Sequence, residues 1–445
     1  MILAARKSRQ QKNIVAIKIG LVIVTVSALV AGLAAFFIIQ GTGSNSPELN
    51  FADRSARTME INIDNKETLK KVGVANDKFA TNLYSQMKKD AEDDTNILFS
   101  PFSASAVLSM AAAGAGGKTE KQMTAGLHLP DMTSAASGYK QVIPALRTNE
   151  NFTLETANAA FVMKDYEILS KYKESLHLNF HADISPVDFG DNVAAAKNIN
   201  SWVKDMTKEK IKDLIDKDSI NDLTRLILVN AVYFKGDWET KFDVKHTKKD
   251  QFFLSDSKNV DADMMKIEES FHYAELDSIQ SKMVELPYKG DRIVMQILLP
   301  NEKTGLAAVE TKMIEGDINK MFQENRRKTK LLVKMPKFKS SHEAELSESL
   351  KSMGMSDMFE AGTADFSGID GTRNLYVAFV KQKVFIEVNE EGSEAAAATG
   401  MGMMMRSMPL PPEQFTVDHP FIFFIRDKLT GMLLFQGRIS DPTAE

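Results

Sequence analysis

Between residues 19 and 39 the chain is uncharged and almost wholly apolar. At ~20 residues such a run is long enough to span a bilayer. From Lys70 the pattern is that of a globular body. Phe79, Leu83 and Met87 recur at helical spacing, which predicts a helix over residues 74–87. Residues 96–119 read NILFSPFSASAVLSMAAAGAGGKT. Ser100-Pro101 predicts a helix start, since serine caps and proline suits the first turn; the glycines end the run. Residues 226–242 (LILVNAVYFKGDWETKF) begin as a buried strand and turn at Gly236. Two hairpins are predicted, 283–286 with 293–299 around Lys289-Gly290-Asp291, and 421–425 with 432–436.

Val384, Ile386 and Val388 alternate as a strand and run into EVNEEGSEAAAATGMGMMMRSM, residues 387–408. Alanine favours helix, yet Gly392, Gly400 and Gly402 interrupt one. If the segment is extended, Ser393, Ala395, Ala397 and Thr399 share one face and Glu394 lies on the other. Small side chains can slide between two strands without overpacking. The pattern suits a segment exposed in one state and inserted as a strand in another.

Composition sharpens the picture. Cysteine is absent, which rules out disulfides and thiolate zinc sites. Five basic residues and no acid fall in the first forty positions. Of the overall charge of −5, the body therefore carries −10. An acidic body argues against general nucleic-acid binding. The basic clusters at 245–249 (KHTKK) and 326–330 (RRKTK) read as solvated loops. Positive charges ahead of residues 19–39 keep the N-terminus cytoplasmic and send the rest across a membrane. Residues 1–45 are then a signal anchor or a long signal peptide, and 46–68 a linker. The body is expected in the secretory pathway, secreted or anchored in type II orientation, with Asn151 of Asn-Phe-Thr as a glycosylation acceptor.

Chemistry of the chain's own is hard to find. There is no G-x-S-x-G and no H-E-x-x-H, and no cysteine nucleophile. AAGAGGKT resembles a phosphate loop, but Ala112 stands where the first glycine is needed, and a helix-like run precedes it. His177 and His181 are four apart without a third ligand nearby, and His419 reads as a satisfied buried histidine. No catalytic residue, metal or cofactor is expected.

The glutamate pair Glu390-Glu391, then Gly392, Ser393, Glu394, Ala395, Ala396, Ala397, Ala398 and Thr399, resemble the hinge of the serpin family. The family's cleaved bond lies fourteen residues beyond the hinge glycine, which here falls on Arg406, followed by Ser407. Residues 96–119, 226–242 and 415–425 (FTVDHPFIFFI) are similar to further serpin stretches, and the likeness covers 69–445. It implies one α+β domain: a large five-stranded, mostly antiparallel central sheet, two further sheets, about nine helices and an exposed reactive loop. It also implies a polar cluster of Ser100, Ser103 and Asn230 where the central strands part, with Gln382 in place of the family's frequent histidine, and Trp238 at the top of the sheet. The activity implied is inhibition of trypsin-like serine proteases through a covalent complex, by a monomer; glycosaminoglycan binding is not expected. A non-inhibitory serpin, acting as carrier, storage protein or chaperone, is the alternative; the small hinge residues favour inhibition.

Overall fold

A computed structural model of the chain describes residues 66–92, 94–146, 151–182, 184–392 and 412–444. Helices α1 (Lys66–Asp90), α2 (Pro101–Ala112), α3 (Gly117–Gly126) and α4 (Met132–Ala145) flank the short strand β1 (Ile97–Phe99). β2 (Phe152–Met163), α5 (Ser170–Ser175), β3 (Ile184–Val187), α6 (Asn192–Met206) and β4 (Leu226–Gly236) follow. Next come β5 (Lys248–Phe253), β6 (Asn259–Leu276), β7 (Ser281–Pro287) and β8 (Ile293–Pro300). Then α7 (Leu306–Glu315) and α8 (Ile318–Asn325) precede β9 (Arg327–Pro336) and β10 (Phe338–Glu345). The last elements are α9 (Ser347–Ser352), α10 (Ser367–Asp370), β11 (Val377–Val388), β12 (Glu413–Thr416), β13 (Phe421–Asp427) and β14 (Leu433–Ile439).

The α+β architecture is borne out. α1 buries Leu69, Val72, Phe79, Leu83 and Met87 and ends in Lys88 and Lys89, which oppose the carbonyl end of its dipole. α2 begins as expected: Ser100 Oγ accepts from the Ser103 amide, and Pro101 occupies the first turn, where no amide donor is needed. Every residue of α2 is buried, because the helix packs against β2 and β4 on one side and β14 on the other. That placement accounts for its run of alanines and serines. Both predicted hairpins form, as β7–β8 and β13–β14.

One sheet has the order β10-β11-β4-β2-β3. β10–β11 and β4–β2 are antiparallel, whereas β11–β4 and β2–β3 are parallel. The other nine strands form one continuous sheet, eight of them in the order β1-β14-β13-β8-β7-β6-β9-β12, because β6, at 18 residues, pairs with β5, β7 and β9 and joins what the resemblance separated into two sheets. β4 reads as an unbroken apolar run because both of its faces are covered. Leu228, Val232 and Phe234 point into the main core, while Ile227, Val229 and Ala231 meet Ile199 and Val203 of α6.

Candidate functional site

The seam between β11 and β4 is the feature around which the expected residues gather. Gln382 and Asn230 are paired across it, and Asn158 of β2 is paired with Asn230 on the far side. Gln382 Oε1 accepts from the Ser100 amide at 2.9 Å. Its Nε2 donates to Ser100 O at 3.0 Å and to Asn230 Oδ1 at 2.5 Å. Asn230 Nδ2 donates to Ser103 Oγ and Asn158 Oδ1, and Ser103 Oγ donates to Asn158 Oδ1 at 2.8 Å. Ser100 Oγ donates to Leu434 O of β14 at 2.6 Å. Four strands, β2, β4, β11 and β14, and the start of α2 are thus tied by side-chain bonds, and parting the seam would break the buried Gln382–Asn230 bond that crosses it.

At the upper end of the seam the chain leaves β11 through a tight turn. Asn389 and Gly392 form an antiparallel bridge, with Asn389 N to Gly392 O at 2.9 Å. Gly392 also bridges Asp237, just past the end of β4. Its φ of +122° and the crowding around it both demand glycine; a Cβ there would overlap Gly236 O and stand 2.7 Å from Asp237 Cα. Glu390 is buried: Thr247 donates to its Oε1 at 2.7 Å, and Lys337 Nζ lies 3.0 Å from Oε2. Burial pushes this carboxyl up, but the Thr247 and Lys337 contacts outweigh it and hold it below the usual glutamate value. Glu391 is held through its backbone, its carbonyl accepting from Trp238 N at 2.8 Å. The Trp238 ring stacks on Tyr288 at 4.4 Å and donates to Asn389 O at 2.9 Å. This part of the hinge is therefore fastened at the mouth of a parallel strand pair, pointing back along it.

Residues 74–442 match the family model for serpins (serine protease inhibitors). The chain is a member of the serpin family. Leukocyte elastase inhibitor A of Mus musculus is 38% identical over 84% of this chain and 100% of its own length. Intracellular coagulation inhibitor 2 of Tachypleus tridentatus is 39% identical over 78% of this chain and 86% of its own. Among solved structures, Serpin48 of the insect Tenebrio molitor aligns with TM-score 0.75 and 35% identity, covering 83% and 98% of the two chains.

Within this serpin the four expected cluster residues come together, as do Glu390, Glu391, Gly392 and Trp238. Ser393, Glu394, Ala395 to Ala398, Thr399, Arg406 and Ser407 lie outside the described residues. So does the apolar run at 19–39; among the described residues, no helix is long and apolar enough to cross a membrane. Asn151 is half-buried just before β2, and its Nδ2 packs against Gly290 in the β7–β8 turn. Asn158 escaped the sequence reading. Its signal is an amide inside the strand LETANAAF, at a half-buried position paired in register with Asn230. Thr247 and Lys337 were also missed, because their role depends on contacts over 143 and 53 residues that no local pattern records.

The remaining motifs stay structural. Gly117 takes φ +58° at the start of α3, after a helix and not a strand. His177 lies in a π-helical turn, Leu176–Phe180, which His181 ends at φ +50°. Among the described residues no group of three His, Cys, Asp or Glu side chains could hold a metal. His419 is buried between Asp418 Oδ1 at 2.8 Å and Pro300 O at 2.9 Å.

Proposed function

We propose that this serpin is a suicide-substrate inhibitor of trypsin-like serine proteases, cut between Arg406 and Ser407 and then trapped by insertion of the hinge between β11 and β4. The observation that carries the reading is the register of the two bridges at Gly392. Continued as an antiparallel hairpin, Asn389↔Gly392 sets Val388 against Ser393, Ile386 against Ala395 and Gln382 against Thr399. Continued along β4, Asp237↔Gly392 sets Gly236 against Ser393 and Asn230 against Thr399. Gln382 and Asn230 are already partners across the seam. Asn389 and Asp237 keep the offset of the β11–β4 pairing, so both extrapolations describe one slot, antiparallel to both neighbours, with Thr399 entering the polar cluster.

The same register supports the face pattern. Val384, Ile386 and Val388 are buried in the main core, so Ser393, Ala395 and Ala397 opposite them would turn inward. Insertion gives up the β11–β4 ladder and makes two in its place. A net gain of one ladder over about a dozen residues is worth on the order of 10 kcal/mol, at about 0.5–1.5 kcal/mol per bond. The uncleaved form is then kinetically held.

Chemically, Arg406 would enter the specificity pocket, where trypsin carries an aspartate. The enzyme's serine attacks the Arg406 carbonyl and forms an acyl-enzyme, and cleavage frees the hinge. Drawn into the seam, the fourteen residues that follow Gly392, through Arg406, carry the acylated protease about 45 Å at ~3.3 Å per residue. Catalytic geometry is lost before deacylation. The chain acts as an inhibitor rather than a catalyst, in keeping with the inhibitor names of its relatives. We place it in the secretory pathway on residues 19–39 alone; one relative is named intracellular.

The test is incubation with trypsin. A complex that survives SDS is expected from the parent and not from Arg406→Ala. Equal inhibition by that variant would mean that another bond is cut.

A further inference from the structure

One solvent-facing surface plays no part in this reading. Over residues 266–272 of β6 and 328–334 of β9 the odd-numbered Ile267, Phe271, Leu331 and Val333 are buried, and the even-numbered positions are exposed or half-buried. Lys266 stands opposite Lys334, and Lys330 opposite Ser270, with Lys328 next in the row. On the edge strand β5, Lys248 is two residues from Asp250, whose carboxylate binds Lys334. The face thus carries five lysines against two carboxylates, Asp250 and Glu268, on a body whose net charge is −10. Lys248, Lys266 and Lys328 are exposed and make no ion pair among the described residues. Like charges directly opposite, as at Lys266 and Lys334, are destabilising. Fold stability does not account for them.

The location gives the face a use. β12 is its next strand, with Gln414 opposite Leu332 and Thr416 opposite Lys334. Ser407 precedes Glu413 by six residues, at most ~20 Å of chain. We propose that this lysine face docks the protease engaged at Arg406-Ser407, and that it favours enzymes whose surface beside the active-site cleft is acidic. The inference rests on the inhibitory reading above. Asp250, Glu268, Ser270 and Gln414 interleave with the lysines, which suits the mixed surface of a folded protein better than a continuous polyanion.

An anionic and a cationic trypsin, alike in specificity and opposite in surface charge, provide the test with the full chain. At low salt the parent should combine with the anionic enzyme at least about tenfold faster, and at high salt the ratio should approach one. Lys248→Glu, Lys266→Glu and Lys328→Glu together should abolish or invert the preference, with an unchanged yield of SDS-stable complex. A parent with no preference, or a variant that keeps it, overturns the docking surface. Heparin retention that the variant loses, with association rates equal to the parent's, assigns the face to a polyanion and overturns it as well. A parent that forms no stable complex with either trypsin defeats the inhibitory reading itself. The salt dependence of the parent is decisive even if the triple variant does not fold.

Discussion

Gln382→Leu tests whether the polar cluster keeps the seam shut. The substitution removes one acceptor and two donors from a site that is nearly inaccessible to solvent. Ser100 O keeps the amide of Ala104 at 3.0 Å, so two groups are orphaned, Ser100 N–H and Asn230 Oδ1. Each costs about 1–3 kcal/mol when buried without a partner. Leucine returns about 1–2 kcal/mol through apolar burial. The net loss is about 3 kcal/mol, and it falls on the β11–β4 pairing. If all of it lowers the barrier to opening, a synthetic peptide matching residues 393–404 should enter the seam about a hundredfold faster, at 1.4 kcal/mol per decade. Uptake can be followed by native electrophoresis and by the gain in thermal stability. Ile439→Val in β14 serves as the control: it should cost about 1 kcal/mol of stability and leave uptake unchanged. If Gln382→Leu takes up peptide no faster than that control, the cluster does not close the seam.

Further outcomes follow from the hinge. Glu390 is held below the usual glutamate value of 4.5, so its anchoring is complete above that value and is lost as pH falls through the lower folded-state value. Glu390→Gln should weaken the native form at pH 7 by about 1–2 kcal/mol, discounted for the partial exposure of Lys337. It should also remove that part of the acid dependence, read from denaturation midpoints between pH 3 and 7; an unchanged acid profile would mean that the pair contributes nothing. Gly392→Val should open the turn, because its Cβ would overlap Gly236 O at φ +122°. The expected readout is faster amide exchange at Trp238 and Phe242, whose amides bind the carbonyls of Glu391 and Glu390; parent-like exchange would contradict it.

Much of this was legible locally. Ser100-Pro101 announced a cap and a first turn, and both hairpins were written in alternation and turn residues. The polar positions of the seam, Ser100, Ser103, Asn230 and Gln382, were legible only through the resemblance to serpins. Strand direction was less accessible: Val380, Val384 and Ile386 alternate in the same way whether β4 beside them runs parallel or antiparallel. Burial of β4 on both faces erased its alternation, so neither register nor neighbour could be read from it. The partners of Glu390 were invisible for a similar reason. An exposed-looking glutamate becomes a buried anchor only once Thr247 and Lys337 are brought around it.

Ser393→Arg tests the central claim most directly. By the register at Gly392, its side chain would turn into the main core between Val388 and Gly236, where an unpaired charge costs several kcal/mol. Contacts near Arg406 are untouched, so cleavage should proceed at the parent's rate. Insertion from the hinge predicts that trypsin is then released active, that no SDS-stable complex accumulates, and that cleavage no longer raises the melting temperature. Formation of that complex by Ser393→Arg as efficiently as by the parent would contradict it.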